Sequence, residues 1–170
     1  MKNVDGTQLV ENKKENISIK YYGDYWFHSF TKKTTLNWDK TFIKSIDANK
    51  TGKTLIYCAH TTIEPYCSTL GLIYNDNHLT QIIKDVEENF KKQRAENLTT
   101  TNELIGTNSF AKLSYELPDS ELRIKRRYIE YYSLQGKNTL RIIFWTTETR
   151  EGWLESEAKG IIETIKFGNN

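Results

Sequence analysis

The chain predicts an α+β domain in which a central, mainly antiparallel sheet is packed by two helices. Three features carry this. Between Leu122 and Phe167 two long strand-like runs meet at Gln135-Gly136-Lys137-Asn138 and are followed by an amphipathic helix. The order of elements is strands, a helix, four strands and a final helix. The links between strands are too short for parallel crossovers, so neighbouring strands must run antiparallel.

Residues 1–16 are polar and read as a flexible leader, leaving 17–168 as a single globular domain. At 170 residues and 19.9 kDa such a domain buries roughly 70% of its unfolded surface without staples. Ile17 to Tyr22 alternates as a first strand, and Gly23-Asp24 breaks it. Tyr25, Trp26, Phe27 and Phe30 offer an aromatic plug for one end of the core. Leu36 to Ile46 fits either a helix or a strand. Thr54 to His60 and Thr69 to Tyr74 are rich in β-branched, aromatic and small residues and read as strands joined across Pro65. Asp76 or Asn77 can cap a helix with one apolar stripe, Leu79, Ile82, Ile83, Val86 and Phe90, which fades near Glu96.

Asn102 to Thr107 and Phe110 to Leu117 make the next two strands, ended by Pro118-Asp119-Ser120. The long hairpin follows. Counted from its turn, Tyr128 faces Trp145, Tyr132 faces Arg141 and Leu134 faces Thr139. The strand period of two then gathers Ile129, Tyr131, Leu140, Ile142 and Phe144 on a core side. The other side carries Arg126, Tyr128, Glu130, Tyr132, Arg141, Ile143 and Trp145, a mixed aromatic and charged surface. Thr149 precedes the last helix, whose inward residues are Trp153, Leu154, Ala158, Ile161, Ile162 and Ile165.

This order, the early Tyr25-Trp26, and the close through Phe144-Trp145-Thr146-Thr147 to Ile165-Lys166-Phe167 resemble the PsbP-like fold, across Ile17 to Phe167. DcrB-type bacterial lipoproteins and some secretion-effector chaperones share that fold. The Pro that often precedes the early Trp in such domains is replaced here by Asp24-Tyr25. The resemblance implies an α/β/α sandwich and a binding or accessory protein, and it transfers no catalytic residue.

Catalytic and cofactor patterns are weak. Asn49 to Thr54 looks like the end of a phosphate loop, but Asp47 stands where a Gly is needed and Gly52 leads into a strand instead of a helix. Cys58, His60, Cys67 and His78 lack the tight spacing of a zinc knuckle. Cys58 and Cys67 are either two buried thiols or, if their strands pair about a centre between Thr62 and Ile63, a cross-strand disulfide that favours an oxidising compartment. None of the three histidines, His28, His60 and His78, lies in a nucleophile motif. No cofactor and no metal are expected.

Net charge is +2, from 24 basic and 22 acidic residues, which argues against nucleic acid as partner. The Arg123–Arg127 cluster followed by Tyr128, Tyr131 and Tyr132 would suit a single strand. Alternation splits it between two faces, however, and Glu121 and Glu130 dilute it. No apolar run reaches the length of a membrane helix. The reading is therefore a non-enzymatic binding domain with a protein partner, in a bacterial envelope or secretion setting. It would be periplasmic, with a lipid tether if a signal peptide has been removed before Met1; a cytoplasmic protein is the alternative. Arg126, Tyr128, Tyr132, Arg141 and Trp145 are the expected contact residues, because exposed aromatics and Arg anchor interfaces. A small hydrolase or ligand-converting enzyme with an unrecognised site near His28 and Trp26, and a single-strand nucleic-acid binder, are the other classes.

Overall fold

A computed structural model describes residues 7–14, 16–22, 26–28, 52–60, 67–73, 78–119, 123–147 and 151–167. In chain order the strands are β1 (Thr7–Asn12), β2 (Ile17–Tyr22), β3 (Trp26–His28), β4 (Gly52–His60) and β5 (Cys67–Ile73). Helix α1 (Leu79–Lys92) follows, then β6 (Glu96–Ile105), β7 (Asn108–Asp119), β8 (Ile124–Gln135) and β9 (Asn138–Thr147). Helix α2 (Glu151–Ile162) and β10 (Lys166–Phe167) close the chain. Leu36–Ile46, Phe30, the proposed caps Asp76 and Asn77, and Thr149 lie outside the described residues.

Seven strands form one sheet in the order β3-β4-β5-β9-β8-β7-β6, and β1-β2-β10 form a second, three-stranded sheet. Every strand pair among the described residues is antiparallel. The mixed α+β class holds, with the described strands divided between two sheets. On one face of the large sheet sit α2 and the small sheet. Val10, Ile17, Ile19 and Tyr21 pack there with Ile129, Tyr131, Leu140, Ile142, Phe144, Leu154, Ala158, Ile161 and Ile162. This is the core side expected of the hairpin. On the other face α1 seats Ile82, Val86 and Phe90 against Ala111, Leu113, Tyr115, Tyr132, Ile143 and Trp145.

The hairpin register matches the expectation at Tyr128↔Trp145, Tyr132↔Arg141 and Leu134↔Thr139. Both tight turns, Gly106-Thr107 and Gly136-Lys137, put glycine at the first loop position with φ of 59° and 60°. That left-handed backbone strains any residue with a Cβ, and it is what a two-residue turn opened by glycine requires.

Three elements differ from the expectation. Thr7–Asn12, read as part of a flexible leader, is a strand paired to β2, with Val10 buried. Helix α1 ends at Lys92, short of Glu96, because Arg94 adopts φ 59°. The Arg94 N–H donates to Lys91 O at 3.1 Å and the Ala95 N–H to Phe90 O at 3.0 Å, a Schellman close in which Arg takes the place usual for Gly. The early stop frees Glu96–Thr101 to extend β6, so this strand runs ten residues. At the far end, the Thr164 hydroxyl accepts the Lys20 N–H at 2.8 Å and lies 2.7 Å from Ile161 O, tying the exit of α2 to β2.

Candidate binding surface

The side of the hairpin expected to face outward is built around one buried charge pair. Alternation brings Glu130 of β8 and Arg141 of β9 to the α1 side, diagonal neighbours two residues apart along the ladder. Both are 0% exposed. The guanidinium is bidentate: Nε donates to Glu130 Oε2 at 2.8 Å and Nη2 to Oε1 at 2.7 Å. The Tyr115 hydroxyl donates to Oε1 and the Tyr132 hydroxyl to Oε2. The Arg141 carbon Cζ also stands 5.6 Å from the centroid of the Tyr132 ring. A buried ion pair survives desolvation only when its remaining lone pairs are satisfied, and here four donor contacts saturate the carboxylate.

Titration behaviour follows from this packing. Burial, and then the Glu130 charge, push the Tyr115 phenol well above its usual range. Burial does the same to Tyr132, outweighing Arg141. Burial alone would weaken the Arg141 charge, but Glu130 more than reverses it and holds the guanidinium protonated. The two phenols therefore remain donors across the physiological range.

An aromatic ladder continues from this pair. Phe90 of α1 lies 3.9 Å from Tyr115, Tyr115 stacks on Tyr128 at 5.1 Å, and Tyr128 stacks on Trp145 at 6.2 Å. The five expected contact residues are thus placed as follows. Tyr132, Arg141 and Trp145 are buried beneath α1, while Arg126 and Tyr128 are half-buried. The exposed face expected of this hairpin is a helix–sheet interface. The sequence permitted this, since the α1 stripe needed an apolar partner, and Tyr132, Ile143 and Trp145 supply one.

Two cations of the basic run are paired with carboxylates where they lie. Lys125 Nζ is 2.8 Å from Glu96 Oε2 and Arg127 Nη1 is 3.4 Å from Glu116 Oε1. On the α2 side, Lys112 contacts Glu103 at 3.0 Å and Glu155, and Lys159 stands 3.3 Å from Glu103. Tyr131 lies near this network; burial, then Glu103 and Glu155, raise its phenol far above the ordinary value.

The cysteine pairing is one step from the register that would oppose them. Cys58 pairs with Ser68 and Cys67 with Ala59, and positions one step out in a two-residue period belong to opposite sheet faces. Gly52 opens a strand, as the argument against a phosphate loop required. His28 and His60 lie on β3 and β4, and His78 immediately precedes α1.

What lies exposed is elsewhere. Among the described residues β6 is the last strand of the large sheet, and Thr99, Thr100, Thr101 and Asn102 along it are exposed. Leu104 of β6 is 75% exposed and Leu134 of β8 is 48% exposed. By alternation with Thr100, which donates to Glu87 of α1, and with Tyr132, both leucines lie on the α1 side, at the end marked by the two glycine turns. Sequence reasoning started this strand at Asn102. The run Thr99-Thr100-Thr101 was the available signal, since β-branched residues favour strands.

No family model matches the chain, and no curated protein matches it in sequence. Solved structures do. A cyanobacterial PsbP (CyanoP) from Synechocystis sp. PCC 6803 superposes with a TM-score of 0.62 at 11% identity, covering 98% of this chain and 95% of that one. LpqN of Mycobacterium tuberculosis, described as involved in cell envelope biogenesis, gives 0.59 at 10% identity, over 98% and 93%. A Bacteroides thetaiotaomicron protein gives 0.61 at 11% identity, over the whole of this chain and 50% of that one. The chain has a PsbP-like fold, as the element order and the closing strand–helix unit led one to expect.

Proposed function

We propose that the chain is a non-catalytic binding domain of a bacterial envelope or secretion-accessory protein, docking a protein partner along β6 and the neighbouring Leu104–Leu134 end. The observation that carries this is β6 itself. It is a ten-residue strand at the end of the sheet order, exposed over its middle, and its sequence has no Lys, Arg or Pro. Natural edges are usually blunted by such residues, so an edge without them suits strand addition by a partner. The likeness to PsbP and LpqN structures supports an accessory role in an envelope setting. The local ion pairs of Lys125 and Arg127 favour a protein partner over a phosphate backbone. No helix among the described residues is long and apolar enough to cross a membrane.

The test is quantitative capture from a native envelope extract, comparing wild type with a Leu104→Asp/Leu134→Asp variant. Both residues are exposed, so folding should be unchanged by circular dichroism while capture of the partner falls. Equal capture by the folded variant would place binding elsewhere. Capture that collapses between about 50 and 200 mM salt would point to nucleic acid instead.

A further inference from the structure

We infer that β6 pairs antiparallel with β6 of a second copy of this chain, joining two seven-stranded sheets edge to edge. The inference rests on the reading of β6 as a docking edge and names its occupant.

The backbone decides which residues offer their groups outward. The two-residue turn Gly106-Thr107 makes Ile105 and Asn108 a hydrogen-bonded pair, and such pairs alternate along an antiparallel ladder. Glu103 and Thr101 therefore bond inward to β7, opposite Phe110 and Lys112. Thr100, Asn102 and Leu104 present their N–H and C=O groups to the edge that is open among the described residues, and Leu98 follows them at the start of the register shift toward Glu96. In an antiparallel partnership each outward residue must meet an outward residue, which leaves few registers.

One of these is self-complementary. With Thr101 on the two-fold axis, Leu98 faces Leu104 of the second copy, Thr100 faces Asn102, and the mirror pairs repeat. The exposed Leu104 then lies against Leu98, which already packs on the α1 core cluster. On the α2 side Thr101 meets Thr101 and Thr99 meets Glu103. No two ionised groups of like sign stand opposite, and Glu103 keeps its ion pairs to Lys112 and Lys159. Moving the axis by one residue along the strand, to Thr100, would set Asn102 against Leu98 and carry Leu104 past the register shift between Glu96 and Thr99, where it loses the Leu98 contact. A closed two-fold contact of this kind is the commonest form of homo-oligomer.

The experiment uses the full chain. Light scattering coupled to size exclusion over a concentration series should show a dimer for wild type. Thr101→Lys places two ammonium groups across the axis from an exposed position and should weaken dimerisation by at least about tenfold. Asn102→Pro removes an outward N–H, which an edge strand tolerates, and should give a folded monomer. Under oxidation Thr101→Cys should cross-link into a covalent dimer while Thr99→Cys, facing Glu103, and wild type should not. A wild type that is monomeric throughout, or cross-linking at position 99 in place of 101, overturns the pairing. Monomeric wild type that still shows Leu104-dependent capture sinks only the choice of occupant. Monomeric wild type without such capture sinks the docking edge as well.

Discussion

Replacing Arg141 by Met tests whether the hairpin face is buried under α1, because the burial of Glu130 makes the cost large. An exposed ion pair is worth about 0–1 kcal/mol, whereas breaking a buried one costs about 3–5 kcal/mol, since the surviving charge is left without its counter-ion. Glu130 and Arg141 are fully buried and bidentate, so Arg141→Met and Glu130→Leu should each fall in the larger range. The double variant should not add. It removes both charges together, and apolar replacement of a buried pair is neutral or stabilising by about 1–4 kcal/mol. What it leaves behind are the Tyr115 and Tyr132 hydroxyls, each costing about 1–3 kcal/mol once their acceptor is gone. The two hydroxyls cost about 2–6 kcal/mol and removal of the pair returns up to about 4, so the double variant should centre on a loss of about 2 kcal/mol, below the roughly 6–10 of the two singles combined. Adding Tyr115→Phe and Tyr132→Phe should recover most of the remainder. Urea midpoints read this directly, and a double variant that folds where a single one does not gives the same answer. Two singles that each cost under about 1 kcal/mol and simply add would show a solvated pair, and the seating of α1 on this face would be wrong.

Other outcomes follow from the same geometry. Tyr128→Ala with Trp145→Ala removes two rungs of the ladder running from Phe90, so it should lower stability by several kcal/mol; an unchanged urea midpoint would return the pair to the surface. The offset pairing of Cys58 and Cys67 predicts two thiols that alkylate without reductant, and an intact mass showing an internal bridge would refute the register. Hydrogen bonding from Lys112, with the charges of Lys112 and Lys159, lowers the Glu155 carboxyl below its ordinary 4.5, against the partial desolvation that raises it. A depressed carboxyl stabilises fully above its unfolded value and loses that contribution as pH falls through the folded one. Glu155→Gln should therefore lower stability most at neutral pH and flatten the acid limb below about pH 4.5, where variant and wild type converge; an unchanged acid limb would show the Lys112 contact to be idle.

The hairpin was legible because one turn fixes a register, and a register fixes every face. Gly136 at the first loop position sets Tyr128 opposite Trp145, and Ile129, Tyr131 and Ile142 then fall on the α2 side without further information. β1 and the start of β6 were harder. Only Val10 in Thr7–Asn12 is fully buried among those with described side chains, so the strand carries almost no periodic signal and exists because β2 offers it an edge. The end of α1 was hidden for a different reason. An Arg in a left-handed conformation is a local cost that the Phe90 carbonyl bond and the packing of Ala95 offset, and neither is visible in a residue pattern.

The misplaced surface has the most general cause. A strand face carrying Arg, Glu, two Tyr and a Trp has the composition of an interface anchor, and composition alone cannot distinguish an anchor from a buried polar knot. The distinction lies in saturation. Glu130 accepts from Arg141, Tyr115 and Tyr132, and one of these donors comes from β7, a strand with no sequence proximity to the hairpin turn. An anchor must keep some of its hydrogen-bonding capacity for a partner, whereas this carboxylate spends its donors' geometry on holding β7, β8 and β9 in one register under α1. The capacity left for a partner is in the backbone of β6, where Thr100, Asn102 and Leu104 turn their peptide groups outward. A side-chain pattern does not record peptide groups, which is why the proposed docking edge is legible only in the topology.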